Sequence, residues 1–144
     1  MKKNTTQPKY FLFDAKGQIL GRMATQIAKV LSGKNEVDFT PNIGGKDWVI
    51  VINSDNVRLS GEKSKKKIYY RHSGYPGGIY SATFEEMMEK DSRNVIFKAV
   101  EGMLPKNKLS SQAMTRLRVH KGAEHAYEGK ITDIFNTDIF NNVK

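Results

Sequence analysis

The order of hydrophobic patterns along the chain predicts an α/β fold. Residues 10–13 form a continuous apolar run, residues 20–31 carry apolar side chains at helical spacing, and residues 48–52 form a second apolar run. A strand, a helix and a strand in that order make a βαβ unit, in which the two strands are parallel and the crossover is right-handed. The length of 144 residues predicts a single domain that can bury a substantial core.

Three short segments in the first part of the chain have the pattern of strands. Tyr10–Phe13 and Trp48–Ile52 contain no polar residues, which predicts strands that are buried on both faces. Val57 and Leu59 alternate with polar residues, and this alternation predicts a shorter, half-exposed strand.

The first predicted helix lies between the two apolar runs. Its apolar residues recur at the spacing of one helical face: Leu20, Met23, Ala24, Ile27, Ala28 and Leu31. Gly33 follows Ser32 and is typical of the residue that ends a helix.

An extended arm and a short helix are predicted in the middle of the chain. Residues 68–70 are expected to form the arm, and residues 73–78, which are rich in glycine, an irregular loop. Thr83 and Glu86 have the spacing of a capping box, so a short helix is expected to begin there.

Two further helices and one strand are predicted in the basic segment that follows. One helix is expected to begin at Asp91 or Ser92 and to end before Pro105, which cannot continue it. Residues 110–111 are two serines that can cap a final short helix. Residues 117–119 alternate between apolar and basic, which predicts an edge strand.

The end of the chain contains an immediate repeat. Residues 132–136 read Thr-Asp-Ile-Phe-Asn, and residues 137–141 repeat the same five residues. A period of five matches neither a helix nor a strand. We therefore expect a disordered or loosely docked extension in preference to an element of the core, with a linear motif for a partner as the alternative.

The basic charge of the chain is concentrated in two segments. The sequence has 24 Lys and Arg against 15 Asp and Glu, which gives a net charge of +9. Residues 58–73 carry +5 and residues 93–121 carry +6, so these two segments exceed the charge of the whole chain. Clustering of this kind favours a nucleic acid as partner over a merely solvated surface or an anionic membrane.

Several classes of site are excluded or disfavoured by the sequence. The absence of cysteine excludes disulfides, Cys-ligated zinc, iron–sulfur clusters and a thiol nucleophile. The phosphate-binding motifs of nucleotide-dependent proteins are missing, and His72, His120 and His125 lack the spacing of a metal site. We expect no cofactor, no metal and no small-molecule substrate. These histidines contact RNA or serve the structure in one interpretation, and act as the acid–base groups of a ribonuclease in another.

The first residues and the apolar runs bear on localisation. No apolar stretch typical of a signal peptide follows Met1, and no apolar run approaches the length of about 20 residues that a membrane span needs. The sequence therefore predicts a cytoplasmic protein without a membrane partner.

Tyrosine and basic side chains are interleaved in both charged segments. Tyr69 and Tyr70 lie among Lys63, Lys65, Lys66, Lys67 and Arg71. Each tyrosine can either stack on an unpaired base or belong to the core, and the sequence leaves both possibilities open. In the second segment, Lys106 and Lys108 follow a predicted helix end, and four residues alternate along the predicted edge strand so that they share one face: Arg116, Arg118, His120 and Lys121.

Five motifs resemble one family. They are Tyr69–Gly78, Ala99–Asn107, Leu20–Thr25, Phe39–Pro41 and Gly122–His125, and they occur in the order that the bacterial-type thirteenth protein of the large ribosomal subunit has. The resemblance is collinear from about residue 9 to residue 126. It implies a three-layer α/β/α fold with a small, mainly parallel four-stranded sheet.

The resemblance also implies a function and a set of contact residues. A member of this family is expected to be non-enzymatic, to bind large-subunit ribosomal RNA early in assembly, and to lie beside neighbouring large-subunit proteins in a bacterial ribosome. The expected RNA contacts are Arg22, Lys63, Lys65, Lys66, Lys67, Tyr70, Arg71, His72, Tyr75, Lys106, Lys108, Arg116, Arg118 and His125. Four residues are expected to shape the loop: Gly74, Pro76, Gly77 and Gly78.

The expected organisation has three parts. Residues 1–9 form a flexible segment, residues 10–126 a single α/β RNA-binding domain, and residues 127–144 a C-terminal extension. Besides the ribonuclease, a regulatory RNA-binding module that acts away from the ribosome remains an alternative.

Overall fold

The computed structural model describes residues 7–135. Six strands and four α-helices are present in this range: β1 (Tyr10–Asp14), α1 (Leu20–Ser32), β2 (Trp48–Ile52), α2 (Lys63–Lys66), β3 (Ile68–His72), β4 (Ile79–Thr83), α3 (Phe84–Met103), α4 (Lys108–Thr115), β5 (Leu117–Val119) and β6 (Asp133–Phe135). Most of the predicted flexible N-terminal segment and the second copy of the repeat lie outside the described residues.

A four-stranded parallel sheet forms the centre of the molecule. Its strand order is β5-β2-β1-β6, and every pairing within it is parallel. In register, Leu12 lies opposite Ile50 in β2 and opposite Ile134 in β6. The predicted α/β fold with a small parallel sheet is confirmed.

The two faces of the sheet are covered differently. Phe11 and Phe13 are buried on the face that packs into the main core with α1 and α3. On the other face, the ring of Tyr10 stacks on Trp48 and on Tyr127, which belongs to the connection between β5 and β6. The prediction that β1 is buried on both faces is therefore wrong for its outer residues, because this connection covers them only in part.

Helix α1 follows its sequence pattern closely. All six apolar residues predicted to share a face are buried. Gly33 adopts a left-handed φ of +80° and donates its N–H to the carbonyl oxygens of Lys29 and Val30, which ends the helix. A Cβ at this position would lie 3.0 Å from the Cα of Gly45, so the loop after α1 also packs closely here.

Helix α3 contains both of the helices predicted around residue 91. The capping box is present, because Thr83 Oγ1 accepts from the N–H of Glu86 and the Glu86 carboxylate accepts from the N–H of Thr83. Asp91 has non-helical backbone angles (φ −162°, ψ +101°) and separates the two helical segments. The second segment ends at Met103, before Pro105, as predicted.

Two local predictions were wrong. Asn107, and not the serine pair, caps α4, because its side-chain oxygen accepts from the N–H of Ser110 at 3.0 Å. Val57 and Leu59 form no strand, because Arg58 pairs only with the loop before α1, through one bridge to Ile19. Strand β4 and helix α2 were not predicted.

The first copy of the repeat has a place in the sheet that the sequence did not predict. Asp133–Phe135 form β6, and the Phe135 ring stacks on Phe13 with centroids 5.0 Å apart. The expectation of a loose extension is therefore wrong for this copy, because parallel pairing with β1 and burial of its phenylalanine hold it in place. None of the helices within residues 7–135 is long and apolar enough to cross a membrane.

Candidate nucleic-acid interface

Strands β3 and β4 form an antiparallel ribbon that projects basic and aromatic side chains into solvent. Ile68 lies opposite Thr83 at its base, and His72 lies opposite Ile79 at its far end. Tyr70 is 68% exposed, which is high for an aromatic residue within a strand. The extended arm predicted from residues 68–70 is thus one strand of this ribbon.

The turn at the end of the ribbon depends on its glycines. Gly74 and Gly77 have left-handed φ values of +87° and +72°. The N–H of Ser73 donates to the carbonyl oxygen of Gly78 at 2.8 Å, and the N–H of Gly78 donates to that of Tyr75 at 3.0 Å. A Cβ at Gly78 would lie 3.0 Å from the same Tyr75 oxygen and closer still to the Ser73 hydroxyl. The expected loop-shaping residues all lie in this turn: Gly74, Pro76, Gly77 and Gly78.

His72 and Tyr75 are presented by this turn. The Nδ1 atom of His72 accepts from the N–H of Gly74 at 2.9 Å, so the neutral ring carries its proton on Nε2. His72 is exposed, so this N–H is available as a donor to a ligand. Tyr75 is 75% exposed at the tip of the turn.

Cations lie over aromatic rings along the ribbon. The guanidinium of Arg71 is 5.6 Å from the ring centroid of Tyr80 on the neighbouring strand. The ammonium groups of Lys67 and Lys98 lie 5.2 and 5.3 Å from the ring centroid of Tyr69. Such contacts hold the cations in position while leaving them charged.

The two neighbouring tyrosines have different environments. Tyr69 packs against the core, and burial raises the pKa of its hydroxyl. Tyr70 points away from the core and is largely exposed. The sequence left each tyrosine open between core and ligand, and the structure assigns Tyr69 to the edge of the core and Tyr70 to the surface.

A short helix adds lysines beside the ribbon. Helix α2 consists of Lys63–Lys66 and leads into β3 through Lys67. Lys66 forms an ion pair with Glu62, and both side chains are largely exposed. Lys63, Lys65 and Lys67 are exposed as well, so the expected lysine cluster forms a basic surface next to the ribbon.

An open groove of about 770 Å³ brings the two basic segments together. Tyr69 and Tyr70 line one side, and the end of α3 with the beginning of α4 lines the other. The residues from the helical side are Lys98, Glu101, Gly102, Lys106, Asn107, Lys108, Ser110 and Ser111. Residues that are almost forty positions apart in the sequence thus form one surface.

The charge of this groove is predominantly positive. Lys98, Lys106 and Lys108 contribute three ammonium groups against the single carboxylate of Glu101. Lys106 and Lys108 lie in the connection between two helices because Pro105 prevents α3 from continuing and Asn107 caps α4. A groove with three cations, an exposed tyrosine and serine hydroxyls suits a phosphate backbone with an unpaired base.

Three other expected contacts lie outside the residues that line this groove. Arg22 is exposed in the first turns of α1. Arg118 is exposed on β5, with its guanidinium 5.5 Å from the centroid of the Trp48 ring. His125 is half-buried, and its Nδ1 accepts from the N–H of Tyr127 at 3.3 Å. They contribute to an RNA-binding surface only if that surface extends beyond the groove.

Arg116 has partners inside the protein. Its guanidinium donates to the carbonyl oxygen of Leu31 at 2.9 Å and to that of Asp47 at 3.2 Å. Burial lowers the pKa of Arg116, whereas the nearby carboxylate of Asp47, itself buried, raises it. The sequence placed Arg116 on one strand face with Arg118, but Arg116 ends α4 and joins it to the C-terminal end of α1.

Two of the three histidines are close to each other. The rings of His120 and His125 have centroids 6.3 Å apart. Burial lowers the pKa of His120 most, and the charges of His125, Arg93 and Arg118 lower it further. Neutral His120 is therefore favoured, and its Nε2 is buried without a hydrogen-bond partner among the described residues.

Two contributors to the surface were missed by the sequence analysis. Lys98 was counted in the charge of its segment, but only the structure brings it to the ring of Tyr69. Tyr80 was not considered because β4 was not predicted. Pairing of β3 with the segment after the glycine turn would have placed Tyr80 opposite Arg71.

Comparisons with known proteins identify relatives along most of the chain. The family described as ribosomal protein L13 matches residues 8–126. Large ribosomal subunit protein uL13 of Clostridioides difficile (strain 630) is 48% identical over 130 residues, which cover 90% of this chain and 91% of the relative. The uL13 protein of Pseudomonas aeruginosa (strain LESB58) is 47% identical over 126 residues, covering 88% and 89% of the two chains. The uL13 protein of Synechococcus sp. (strain CC9311) is 48% identical over 118 residues, covering 82% and 79%.

Proposed function

Since the chain belongs to the ribosomal protein L13 family, we propose that it is a structural component of the large ribosomal subunit that binds large-subunit ribosomal RNA. The family is one of structural, non-enzymatic ribosomal proteins, so the ribonuclease interpretation of the histidines is not retained. The relatives reported above are bacterial, which favours a bacterial ribosome in the cytoplasm.

The groove between the ribbon and the α3–α4 connection carries this proposal. Tyr70 from the first basic segment and Lys106 and Lys108 from the second line the same cavity. Ammonium groups neutralise phosphates and release condensed counterions, which supplies affinity without reading sequence. The exposed ring of Tyr70 offers a surface on which an unpaired base can stack.

The ribbon extends the proposed surface away from the groove. Arg71 has a planar guanidinium suited to bidentate contact with phosphate, and the Tyr80 ring supports it. His72 donates from Nε2 at the exposed end. We include Lys63, Lys65, Lys66, Lys67 and Tyr75 in the surface, with Arg22, Arg118 and His125 at its periphery. Arg116 serves the fold, because its hydrogen bonds are made inside the protein.

A salt titration with matched variants tests the surface. Binding of the full-length protein to transcribed large-subunit ribosomal RNA would be measured by fluorescence anisotropy at several salt concentrations. Lys106→Gln and Lys108→Gln are each expected to weaken binding and to reduce the log–log salt slope by roughly 0.7 to 0.9, the contribution of one phosphate contact. Lys29→Gln, at an exposed position of α1 outside the groove, is the control and should leave the slope unchanged. Equal slopes for all three variants would remove the groove from the interface.

Membership in the subunit and early assembly need a separate experiment. A lysate would be separated on sucrose gradients at low and high salt, and the chain followed by immunoblot. The chain is expected to sediment with the large subunit and with its precursor particles, and to resist a moderate salt wash together with neighbouring large-subunit proteins. Early assembly also requires that purified protein binds naked ribosomal RNA. A chain that stays at the top of both gradients would instead favour a regulatory role away from the ribosome.

A further inference from the structure

Strand β6 occupies a defined slot along the edge of β1. Asp133, Ile134 and Phe135 pair in parallel with residues 11–13, and Ile134 lies opposite Leu12. The Phe135 ring stacks on that of Phe13 at 5.0 Å, with an interplanar angle of 9°. It also meets the ring of Phe11 edge-on at 5.8 Å.

The residue before β6 makes the slot longer by one position. The N–H of Thr132 donates to the carbonyl oxygen of Tyr10 at 2.9 Å. In return, the N–H of Tyr10 donates to the hydroxyl of Thr132 at 3.3 Å. The slot therefore makes specific contacts with four consecutive residues, Thr-Asp-Ile-Phe.

The same four residues occur a second time in this chain, at positions 137–140. We propose that the edge of β1 is a binding site for the peptide Thr-Asp-Ile-Phe and that it accepts either copy, one at a time. A shift of one residue would turn the wrong side chains toward the core, but a shift of five places an identical residue at every position. The ring of Phe140 then takes the place of Phe135 against Phe13.

The exchange is local and its free-energy difference is small. β6 is an edge strand, so it can be replaced without separating the other three strands. The connection from β5 to the docked copy grows from thirteen residues (120–132) to eighteen (120–137). Loop-closure entropy disfavours the longer connection by a factor of only roughly 1.6.

Contacts of the shorter connection favour the first copy further. The Tyr127 ring stacks on Tyr10 with centroids 6.3 Å apart, and the N–H of Asn53 donates to the carbonyl oxygen of Gly122 at 3.0 Å. A register that strains this segment loses part of these contacts. The second copy is therefore the minor occupant, at no more than roughly two-fifths of the molecules by loop entropy alone.

Engineered disulfides test this site directly, because the natural chain contains no cysteine. The pair Leu12→Cys/Ile134→Cys joins the first copy to β1 at positions that lie opposite each other. The pair Leu12→Cys/Ile139→Cys can close only when the second copy reaches the slot. The control is Leu12→Cys/Asp138→Cys, which has nearly the same tether length but directs its second thiol to the opposite face.

Oxidation of the full-length variants at low protein concentration would be followed by mass spectrometry. The Ile139→Cys pair is expected to close within the chain at a rate no more than roughly 0.6 of that of the Ile134→Cys pair. It should also close clearly faster than the Asp138→Cys control. Equal rates for the Ile139→Cys pair and that control would show that the second copy does not dock, and would overturn the proposal.

A stability cycle provides an independent measurement. Phe140→Ala alone is expected to change the melting temperature little, because the first copy is the main occupant. Phe135→Ala is expected to lower it partially, because the second copy replaces the first. The double variant should lose more than the two single variants combined. Additive losses, or a Phe135→Ala variant that fails to fold while Phe140→Ala folds normally, would refute the exchange, and neither result depends on RNA binding.

Discussion

The partners of Arg116 predict that this residue stabilises the fold and does not bind RNA. In the variant Arg116→Met, the apolar stem is retained but the hydrogen bonds to the carbonyl oxygens of Leu31 and Asp47 are lost. The buried carboxylate of Asp47 also loses its nearby positive charge. Hydrogen bonds from a charged donor contribute about 1.5 to 3 kcal/mol each, and the partial exposure of Arg116 reduces this contribution. We expect a loss of about 2 to 4 kcal/mol in the free energy of unfolding.

Urea denaturation is the direct assay for this loss. In thermal unfolding the same loss corresponds to roughly 5 to 15 °C for a chain of this size. Arg118→Met is the matched control, because Arg118 lies two residues further along the chain and is exposed. Its cation–π contact with Trp48 limits the expected loss to about 1 kcal/mol.

RNA binding distinguishes the two roles of arginine. Under conditions where Arg116→Met remains folded, its affinity for large-subunit ribosomal RNA and its salt slope should match those of the unchanged protein. The reasoning would be refuted by a variant that unfolds at the same urea concentration as the unchanged protein but binds RNA with a reduced slope. In that case the guanidinium would contact phosphate and its hydrogen bonds inside the protein would be unimportant.

The other predictions concern the tyrosine pair, the turn and His120. Tyr70→Leu should weaken RNA binding by about 1 to 3 kcal/mol through lost base stacking and leave thermal stability unchanged, whereas Tyr69→Leu should lower the melting temperature; equal effects in both assays would contradict the different environments of the two rings. Gly78→Ala should weaken RNA binding while the sheet stays folded, because the new Cβ approaches the carbonyl oxygen of Tyr75 and displaces the turn, and unchanged affinity would show that the shape of the turn is unimportant. Because the pKa of His120 is lowered in the folded protein, the unfolded chain binds more protons, so stability should fall as the pH drops below about 6.5. Urea midpoints at pH 5 and pH 7.5 should differ less in His120→Gln than in the unchanged protein, and an identical difference would exclude His120 as the cause.

Features of the fold that depend on local sequence were predicted correctly. Helix α1 has a complete apolar face and a glycine stop, so both its existence and its end follow from nearby residues. The capping box at Thr83 and the break at Asp91 are equally local. Each of these signals lies within a few residues of the structure that it specifies.

Features that depend on distant partners were missed. β6 has only three residues, and it exists because β1, more than one hundred positions away, offers an edge and an aromatic surface. β4 becomes a strand only by pairing with β3. Arg116 seemed to belong to a basic strand face, but the packing of α4 beside α1 turns its guanidinium toward Leu31.

The candidate site was predicted as a set of residues but not as a surface. Both basic segments were recognised from charge, yet their convergence on one groove is a property of the tertiary structure. The sequence also gave no means of separating Tyr69 from Tyr70. They differ only in which side of β3 they occupy, and therefore in whether the core covers them.

The way in which the ribbon is attached explains how exposed residues can still be well positioned. A two-stranded ribbon is only marginally stable in water when nothing packs against it. Here its base is fixed, because Tyr69 packs against the core and the N–H of Phe84 donates to the carbonyl oxygen of Lys67 at 3.1 Å. The capping box at Thr83 then joins β4 rigidly to α3. The far end, with Arg71, has only its turn and the Tyr80 ring for support, so a bound polyanion that neutralises its cations would supply the contacts that the protein core does not provide there.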